Sequence, residues 1–267
     1  MKIRKLITLM LILIAIIHIS KRLYIYYSPS KEREIYKTTK HDDDTLRIAY
    51  VGDSWAFGHS DSWTFGPKPH TCRIASLIKE DLHIPVIVES FGIGGLTSKE
   101  VYYSLFDIDS LKLIMKKGYD YCYISAGIND THKKMSTSYY KNSMDCIIRF
   151  MLLNGIHPII QEIPDYNIKK FFNGQETTKK IKRCLSMFIN NIPLDCKQQF
   201  RDALDELITE KGYKNNVSIV RYKSWNNDYA NDLQNLYIED QLHLNYKGYE
   251  RLDSVIAHTI IEQENEK

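Results

Sequence analysis

The side chains with the clearest chemical potential lie at two distant places in the chain. Ser54 follows a short apolar run, within Gly-Asp-Ser, and Asp240 and His243 stand three residues apart in Asp-Gln-Leu-His. In a serine hydrolase, the imidazole takes the serine hydroxyl proton, while the carboxylate orients the imidazole and stabilises its charged form. Each residue also has an ordinary alternative role, because a serine can cap a helix and a histidine can lie on the surface. Together the three predict an acyl-transfer site.

Two further segments could complete such a site. Asn129, in Gly-Ile-Asn-Asp, follows an apolar strand and could donate its side-chain amide to an oxyanion, with a plain turn as the alternative. The glycine-rich segment 92–97 could present backbone N–H groups to the same oxyanion, or only tighten a bend. This segment lacks the lysine of a phosphate loop and the acidic partner of a dinucleotide-binding motif, which argues against nucleotide binding.

Short apolar runs that alternate with helical stretches must position these residues. This alternation is typical of a parallel sheet with helices on both faces, and such sheets bind ligands where their strands end. Ser54, Asn129 and the glycine-rich segment each follow a predicted strand. The predicted strands are 46–51, 85–90, 119–127, 157–163 and 217–222, and the predicted helices are 73–82, 98–117, 138–154, 197–211 and 246–263.

The first 27 residues predict a membrane segment. Three basic residues precede an uncharged apolar run at 6–19, which can extend to Tyr27. No small-x-small cleavage site follows, so we interpret 1–27 as an uncleaved single-pass anchor, with a secreted protein after signal cleavage as the alternative. The basic N-terminus favours a cytoplasmic start and an exported, periplasmic or extracytoplasmic C-terminal domain.

The rest of the chain predicts a tether and one folded domain. Residues 28–45 are polar and charge-rich, as expected of a tether. Residues 46–263 form the predicted domain, since 267 residues with 43% hydrophobic content can bury one substantial core. A Lys-rich, partly helical insertion at about 165–215 is most simply a solvated face, although it could meet an acidic glycan or lipid head groups.

Charge and cysteine content exclude other classes of protein. A net charge of +3, from 36 basic and 33 acidic residues, is too balanced to indicate a nucleic-acid-binding surface. Five cysteines without a CxxC pair argue against a zinc ribbon or a disulfide-stapled miniprotein. Cys184 and Cys196 could pair in an oxidising compartment, but free thiols are the commoner case. Neither His41 beside 42–44 nor His59 with Asp61 has a three-ligand spacing, so we predict neither a metal nor a cofactor.

The four motifs, in this order, resemble the blocks of the SGNH hydrolase family, the GDSL-like lipases, acylhydrolases and esterases. The resemblance covers roughly 46–263 and implies a three-layer α/β/α sandwich around a central, mostly parallel five-stranded sheet of the flavodoxin-like kind. The blocks are GDS at 52–54, the glycine turn at 92–95, GIND at 127–130 and DQLH at 240–243.

The resemblance also implies roles for individual residues. Ser54 corresponds to the nucleophile, His243 to the general base and Asp240 to the orienting acid. The backbone N–H groups of Ser54 and Gly95 and the side chain of Asn129 correspond to the oxyanion donors. No metal is implied.

The chain departs from the family pattern at three positions. Ser90 stands where the second block commonly has Asn, and Trp55 replaces the usual small aliphatic residue after the nucleophile. The extra glycine, Gly94, leaves open which N–H faces the oxyanion. The GxSxG elbow of the α/β-hydrolases is absent around Ser54, which disfavours that class.

The predicted function is hydrolysis of a small acyl ester, with acetyl as the first choice, on a cell-envelope carbohydrate. A lysophospholipid or other lipid ester is the rival substrate, and an O-acyltransferase could use the same triad. A membrane-tethered glycan-binding module without turnover is the non-enzyme alternative. The oligomeric state is left open. The aromatic residues that could stack on sugar rings are Trp55, Trp63, Trp225 and Tyr229, with Trp55 as the first candidate for the substrate pocket.

Overall fold

The structure, a computed structural model, describes residues 2–59 and 70–267. Its sheet has five parallel strands in the order β2-β1-β3-β4-β5, the flavodoxin-like order, which confirms the predicted fold class. The strands are β1 (Leu46–Gly52), β2 (Val86–Gly92), β3 (Tyr121–Ser125), β4 (His157–Gln161) and β5 (Ser218–Val220).

Helices connect the strands and cover the sheet. In chain order they are α1 (Lys2–Tyr27), α2 (Ser54–Phe57), α3 (His70–Leu82), α4 (Ser98–Asp107), α5 (Asp109–Met115), α6 (Ile128–Lys133), α7 (Thr137–Leu153), α8 (Ile168–Asn173), α9 (Thr177–Asn190), α10 (Lys197–Glu210), α11 (Tyr222–Trp225), α12 (Tyr229–Leu236) and α13 (Tyr246–Asn265), with a 3₁₀ turn at Tyr213–Asn215.

Both faces of the sheet are buried, because successive side chains of a strand point to opposite faces. Ala49 and Val51 of β1 pack in a cluster with α4, α5, α7 and α10. Ile48 and Tyr50 of the same strand pack in a second cluster, which α3 and α13 cover. The molecule therefore has the three layers that the resemblance implies.

The strand register brings the candidate residues together. Gly52, the last residue of β1, pairs with Gly92 at the end of β2 and with Ser125 at the end of β3. The segments that follow these three strands carry Ser54, the glycine-rich turn and Asn129. They consequently leave the sheet side by side.

The structure divides one predicted helix and shortens several predicted strands. The helix predicted over 98–117 is interrupted, because Ile108 has an extended backbone and separates α4 from α5. Two aspartates flank Ile108, and all three residues have modest helix propensity. The strand predicted over 217–222 keeps only Ser218–Val220, since α11 begins at Tyr222.

Residues 28–45, all of them described, contain neither helix nor strand and run along the face of α4 and α7. The Ser30 hydroxyl lies 2.9 Å from the Ser143 hydroxyl, and the Tyr36 hydroxyl donates to the Leu105 carbonyl at 2.9 Å. The tether assignment stays a prediction, but these contacts fix the course of the segment on the domain.

The N-terminal helix α1 is long and apolar enough, over Ile7–Tyr27, to cross a membrane, and that stretch is not buried in the protein. Its 21 residues span about 31 Å, which matches the hydrocarbon thickness of a bilayer. A signal sequence near the N-terminus meets the same criterion. The end of α1 contacts the domain, because Lys99 Nζ donates to the Ile25 and Ser28 carbonyls at 2.8 Å each.

Candidate active site

Ser54 occupies the first turn of α2, directly after β1. The side chain of Asp53 caps this helix by accepting the Trp55 N–H at 3.0 Å. Gly52 permits the tight exit from the strand, because a Cβ at this position would lie 2.0 Å from the Ser125 carbonyl oxygen. The Ser54 N–H thus stands at a helix start, where backbone N–H groups lack intrahelical acceptors.

The Asp-Gln-Leu-His loop is held in shape by its own aspartate. Asp240 Oδ1 accepts the N–H groups of Leu242 and His243, each at 2.9 Å. Gln241 between them adopts a left-handed backbone, with φ of 60°. Asn245 then caps α13 by accepting the Gly248 N–H. The loop therefore presents the carboxylate and the imidazole on one side.

The three predicted triad residues form one continuous chain of hydrogen bonds. The Ser54 hydroxyl lies 2.8 Å from His243 Nε2, and His243 Nδ1 lies 2.6 Å from Asp240 Oδ2. When Nδ1–H donates to the carboxylate, Nε2 is the nitrogen free to accept the serine proton. The geometry is thus suited to proton transfer from Ser54 to His243.

The charge of Asp240 suits an orienting role. Burial alone would raise the pKa of this carboxyl, but hydrogen bonds from the His243 ring and from the His243 and Leu242 N–H groups lower it below its usual value. Asp240 is therefore ionised at neutral pH, as stabilisation of a histidinium requires.

Asn129 lies in the first turn of α6, close to Asp53. Its amide Nδ2 is 3.4 Å from Oδ2 of Asp53, the residue that precedes the serine. Burial raises the pKa of Asp53 to about 6, although hydrogen bonds from the Trp55 N–H and the Ser125 hydroxyl oppose the rise. Asp53 thus joins α2, β3 and α6, and it brings Asn129 to the end of the sheet where Ser54 lies.

The glycine-rich turn approaches Ser54 from the other side. A Cβ on Gly94 would lie 3.9 Å from the Ser54 Cβ, so the turn passes directly beside the serine. Gly95 has a left-handed backbone, with φ of 82°, and its carbonyl accepts Lys133 Nζ at 2.8 Å. Gly95 directly follows Gly94 in this turn, and its role as an oxyanion donor stays a prediction.

Ser90, the departure in the second block, supports α2. Its hydroxyl donates to the Ala56 carbonyl at 2.5 Å. Gly92 allows the same close approach, because a Cβ there would lie 1.9 Å from the Phe57 nitrogen. Strand β2 therefore holds the short helix that carries Ser54.

Of the residues that could stack on sugar rings, the two tryptophans that the structure describes are buried. Trp55 is 1% exposed and Trp225 is 4% exposed, and their rings pack together in the core at a centroid distance of 5.8 Å. The assignment of Trp55 to the substrate pocket is thus unsupported. Tyr229 instead braces the catalytic loop, since its hydroxyl donates to the Gln241 carbonyl at 2.7 Å. Trp63 falls outside the described residues.

Two residues that lie near the site were not assigned to it from the sequence. The His59 ring lies 4.4 Å from the His243 ring, and burial, followed by the charge of His243, lowers the pKa of His59. The only sequence signal is its position five residues after Ser54.

Asp130 is the second missed residue, although it belongs to the Gly-Ile-Asn-Asp motif. It is fully buried and accepts the Ser98 N–H at 2.8 Å and the Ser98 hydroxyl at 2.6 Å. Burial raises the pKa of Asp130 to about 7, against the lowering effect of these hydrogen bonds. Asp130 thus ties the start of α4 to the helix that carries Asn129.

The five cysteines, all within the described part of the chain, are free, with Cys184 exposed and Cys196 buried. Among residues 2–59 and 70–267, no cluster of three or more His, Cys, Asp or Glu side chains is arranged to hold a metal ion.

The chain is similar to known proteins in both family and fold. The profile of the GDSL-like Lipase/Acylhydrolase family matches residues 50–251, well over half of the chain. No curated protein matches the sequence.

Solved structures of similar fold include three esterases or acylhydrolases. A lipase/acylhydrolase from Enterococcus faecalis is 19% identical, with a TM-score of 0.55 over 82% of this chain and 96% of that one. An acetyl xylan esterase is 16% identical, with a TM-score of 0.54 over 81% and 100%. A psychrotrophic esterase from Pseudoalteromonas sp. is 13% identical, with a TM-score of 0.54 over 84% and 100%.

Proposed function

The chain belongs to the GDSL-like lipase/acylhydrolase family of serine hydrolases that act on esters, and we propose that it hydrolyses a small acyl ester through a Ser54-His243-Asp240 triad. The observation that carries this proposal is the unbroken hydrogen-bond chain from the Ser54 hydroxyl through His243 to Asp240, at 2.8 and 2.6 Å. Such a chain activates a hydroxyl that is otherwise a weak nucleophile.

The first half of the reaction forms an acyl-enzyme. Ser54 Oγ attacks the ester carbonyl carbon while its proton moves to His243 Nε2, and the carbonyl oxygen becomes an oxyanion. Backbone N–H groups of Ser54 and Gly95 and the Asn129 amide stabilise this charge. The ester C–O bond then breaks, and His243 returns its proton to the departing alcohol.

The second half restores the enzyme. His243 takes a proton from water, whose oxygen attacks the acyl carbon, and the tetrahedral intermediate forms again. Its collapse releases the carboxylic acid, and Ser54 regains its proton. An acceptor alcohol in place of water gives acyl transfer with the same residues.

For the substrate, we propose an acetyl or other small acyl ester of a cell-envelope carbohydrate. The support for this substrate is the position of the domain. The apolar N-terminal helix would hold it at a membrane surface, close to envelope carbohydrates. Trp55 and Trp225 add no support, since both are buried.

A lipid ester is the second candidate, and one observation favours it. Helix α9, which packs against α6, exposes Ile181, Leu185 and Phe188 to solvent. An exposed apolar helix face suits a protein that works at a lipid surface, where a lipid ester would be its substrate.

We also propose that α1 is retained as a single-pass anchor with the catalytic domain exported. The basic residues at its start and the 21-residue apolar stretch support this orientation. A removed signal peptide would instead release the domain, and the mass of the mature protein distinguishes the two.

The test is hydrolysis of p-nitrophenyl acetate, butyrate and octanoate by the purified full-length chain. Ser54→Ala should abolish turnover, while the matched control Ser224→Ala, at an exposed serine that bonds only the Arg221 carbonyl, should retain it. Preference for acetate supports a small acyl substrate, and preference for octanoate supports a lipid ester.

Turnover that survives in Ser54→Ala would overturn the triad. Absence of serine-dependent turnover on all three esters, together with retained binding of glycans, would favour the binding module. Transfer of acetyl to an added alcohol in preference to water would identify an acyltransferase.

A further inference from the structure

Helix α9, within the Lys-rich insertion, has an apolar face that points away from the domain. Ile181, Leu185 and Phe188 lie four and three residues apart, so they share one side of the helix. They are 64%, 48% and 85% exposed. Exposure of three large apolar side chains on one helix face is unfavourable in water and marks a surface that is covered in use.

Basic side chains flank this apolar face. Lys179, Lys180 and Lys182 stand on either side of Ile181 in the sequence, whereas Arg183 is half-buried against Tyr26. A helix with a basic polar side and an apolar side is typical of helices that lie in the interface of a membrane with anionic lipids.

The position of α9 is next to the end of the N-terminal helix. The Tyr27 hydroxyl lies 2.5 Å from the Ser186 hydroxyl of α9, and Lys182 Nζ lies 4.6 Å from the centre of the Tyr26 ring. Tyrosines at the end of a spanning helix commonly mark the level of the lipid head groups. Helix α9 therefore lies at the height where α1 would leave the bilayer.

The other end of α9 contacts the active-site side of the domain. The Asn190 amide donates to the Lys134 carbonyl at 2.6 Å, and α9 packs against α6, the helix of Asn129. The end of α1 is held by Lys99, one residue from the start of α4. Both contacts lie at the carboxyl edge of the parallel sheet. Ser54 lies at the same edge.

We propose that α9 docks into the interface of an anionic lipid bilayer and holds the active-site edge toward the membrane. This inference rests on the proposal that α1 is a membrane anchor. A bilayer suits this face better than a second copy of the chain, because a paired α9 would bring two rows of basic side chains close together, whereas anionic head groups neutralise them.

The experiment measures whether α9 touches lipid in the anchored protein. The full chain carrying Cys72→Ser, which leaves Cys184 on α9 as the exposed thiol, is labelled with bimane and reconstituted into vesicles of phosphatidylcholine and phosphatidylglycerol. Lipids with a doxyl group near the head group should quench the label. Ile181→Ser, Leu185→Ser and Phe188→Ser combined should reduce quenching at least about twofold, because the apolar area that holds the helix in lipid is lost.

The matched control combines Leu113→Ser and Leu153→Ser. These leucines are 65% and 57% exposed, and they lie on helices that lead into the opposite edge of the sheet, before β3 and β4. The control should leave quenching unchanged. All three proteins should hydrolyse p-nitrophenyl acetate alike, so the result is independent of the esterase proposal.

Four results would overturn the inference. Flotation of the protein with vesicles without quenching would keep the anchor and reject α9 docking, and failure to float would reject both. Equal quenching in the triple variant would show that the apolar face is not what contacts lipid. Efficient Cys184-to-Cys184 crosslinking in detergent would show that a second copy covers the face.

Discussion

Two histidine–aspartate pairs occupy different layers of the molecule and differ in what surrounds them. His243 and Asp240 lie in a partly exposed loop, with Nδ1 2.6 Å from the carboxylate and Nε2 directed at Ser54. His70 and Asp253 lie between α3 and α13, both almost fully buried and 3.8 Å apart. The same residue types thus occur once beside a hydroxyl and once in the core.

The two pairs differ in which side chain binds the aspartate. Asp253 is bound by the Arg73 guanidinium, which takes the place that an imidazole has at Asp240. Burial, followed by the charge of Arg73, lowers the pKa of His70 to about 4. His70 is consequently neutral at physiological pH and remains a packing residue, whereas His243 keeps a carboxylate partner and an acceptor nitrogen for proton transfer.

Histidine replacement should separate the two pairs most clearly. His243→Ala should reduce kcat/KM for p-nitrophenyl acetate by about 10⁴-fold or more, because the general base is lost. His70→Ala should leave kcat/KM of the folded protein close to that of wild type, while lowering its melting temperature. A comparable activity loss in both variants would mean that the buried pair also takes part in catalysis.

Removal of the buried Asp253 carboxylate should lower the stability of the protein and leave its activity unchanged. Asp253→Ala should lower the free energy of unfolding by about 3–5 kcal/mol, because Arg73 would stay buried without this charge partner. Asp232→Ala, which breaks a more exposed ion pair with Arg251 at 3.5 Å, should cost about 0–1 kcal/mol. Urea denaturation of both variants measures the difference, and equal losses would contradict it.

Asn129 tests whether the site includes an oxyanion donor beyond the triad. Asn129→Ala should lower kcat by about 10²-fold with little change in KM, because the amide acts on charge that develops in the transition state. Asn190→Ala, which removes an amide from α9 and not from the site, is the control. A rise in KM at constant kcat would assign Asn129 to substrate binding.

The smallest expected effect is that of Asp130 on the pH dependence of stability. Asp130 is a buried carboxyl in the half of the molecule that holds the candidate active site. Its folded-state pKa of about 7 lies above the value of an unfolded aspartate. The folded protein therefore binds more protons, and wild-type stability should fall as the pH rises from about 4 through 7. Asp130→Asn should make this decline shallower.

Denaturation curves at several pH values, with the exposed Asp107→Asn as the control, test this effect of Asp130. An unchanged slope in Asp130→Asn would mean that other buried carboxyls dominate the pH dependence.

Much of the site could be predicted from the sequence, because the signals are local. Gly-Asp-Ser after a strand and Asp-x-x-His before a helix depend on turns and caps that a few neighbouring residues decide. The alternation of apolar runs likewise determined a parallel sheet with helices on both faces. Here local preference and the final fold agree.

Only the tertiary structure decided which residues meet and which face solvent. Ser54 and His243 are 189 positions apart and come together through the register of β1, β2 and β3 and the packing of α13. Trp55 turns into the core and Phe188 turns out of it, although both are large aromatic residues on helices. Burial depends on what packs from distant parts of the chain, and a local pattern does not contain that information.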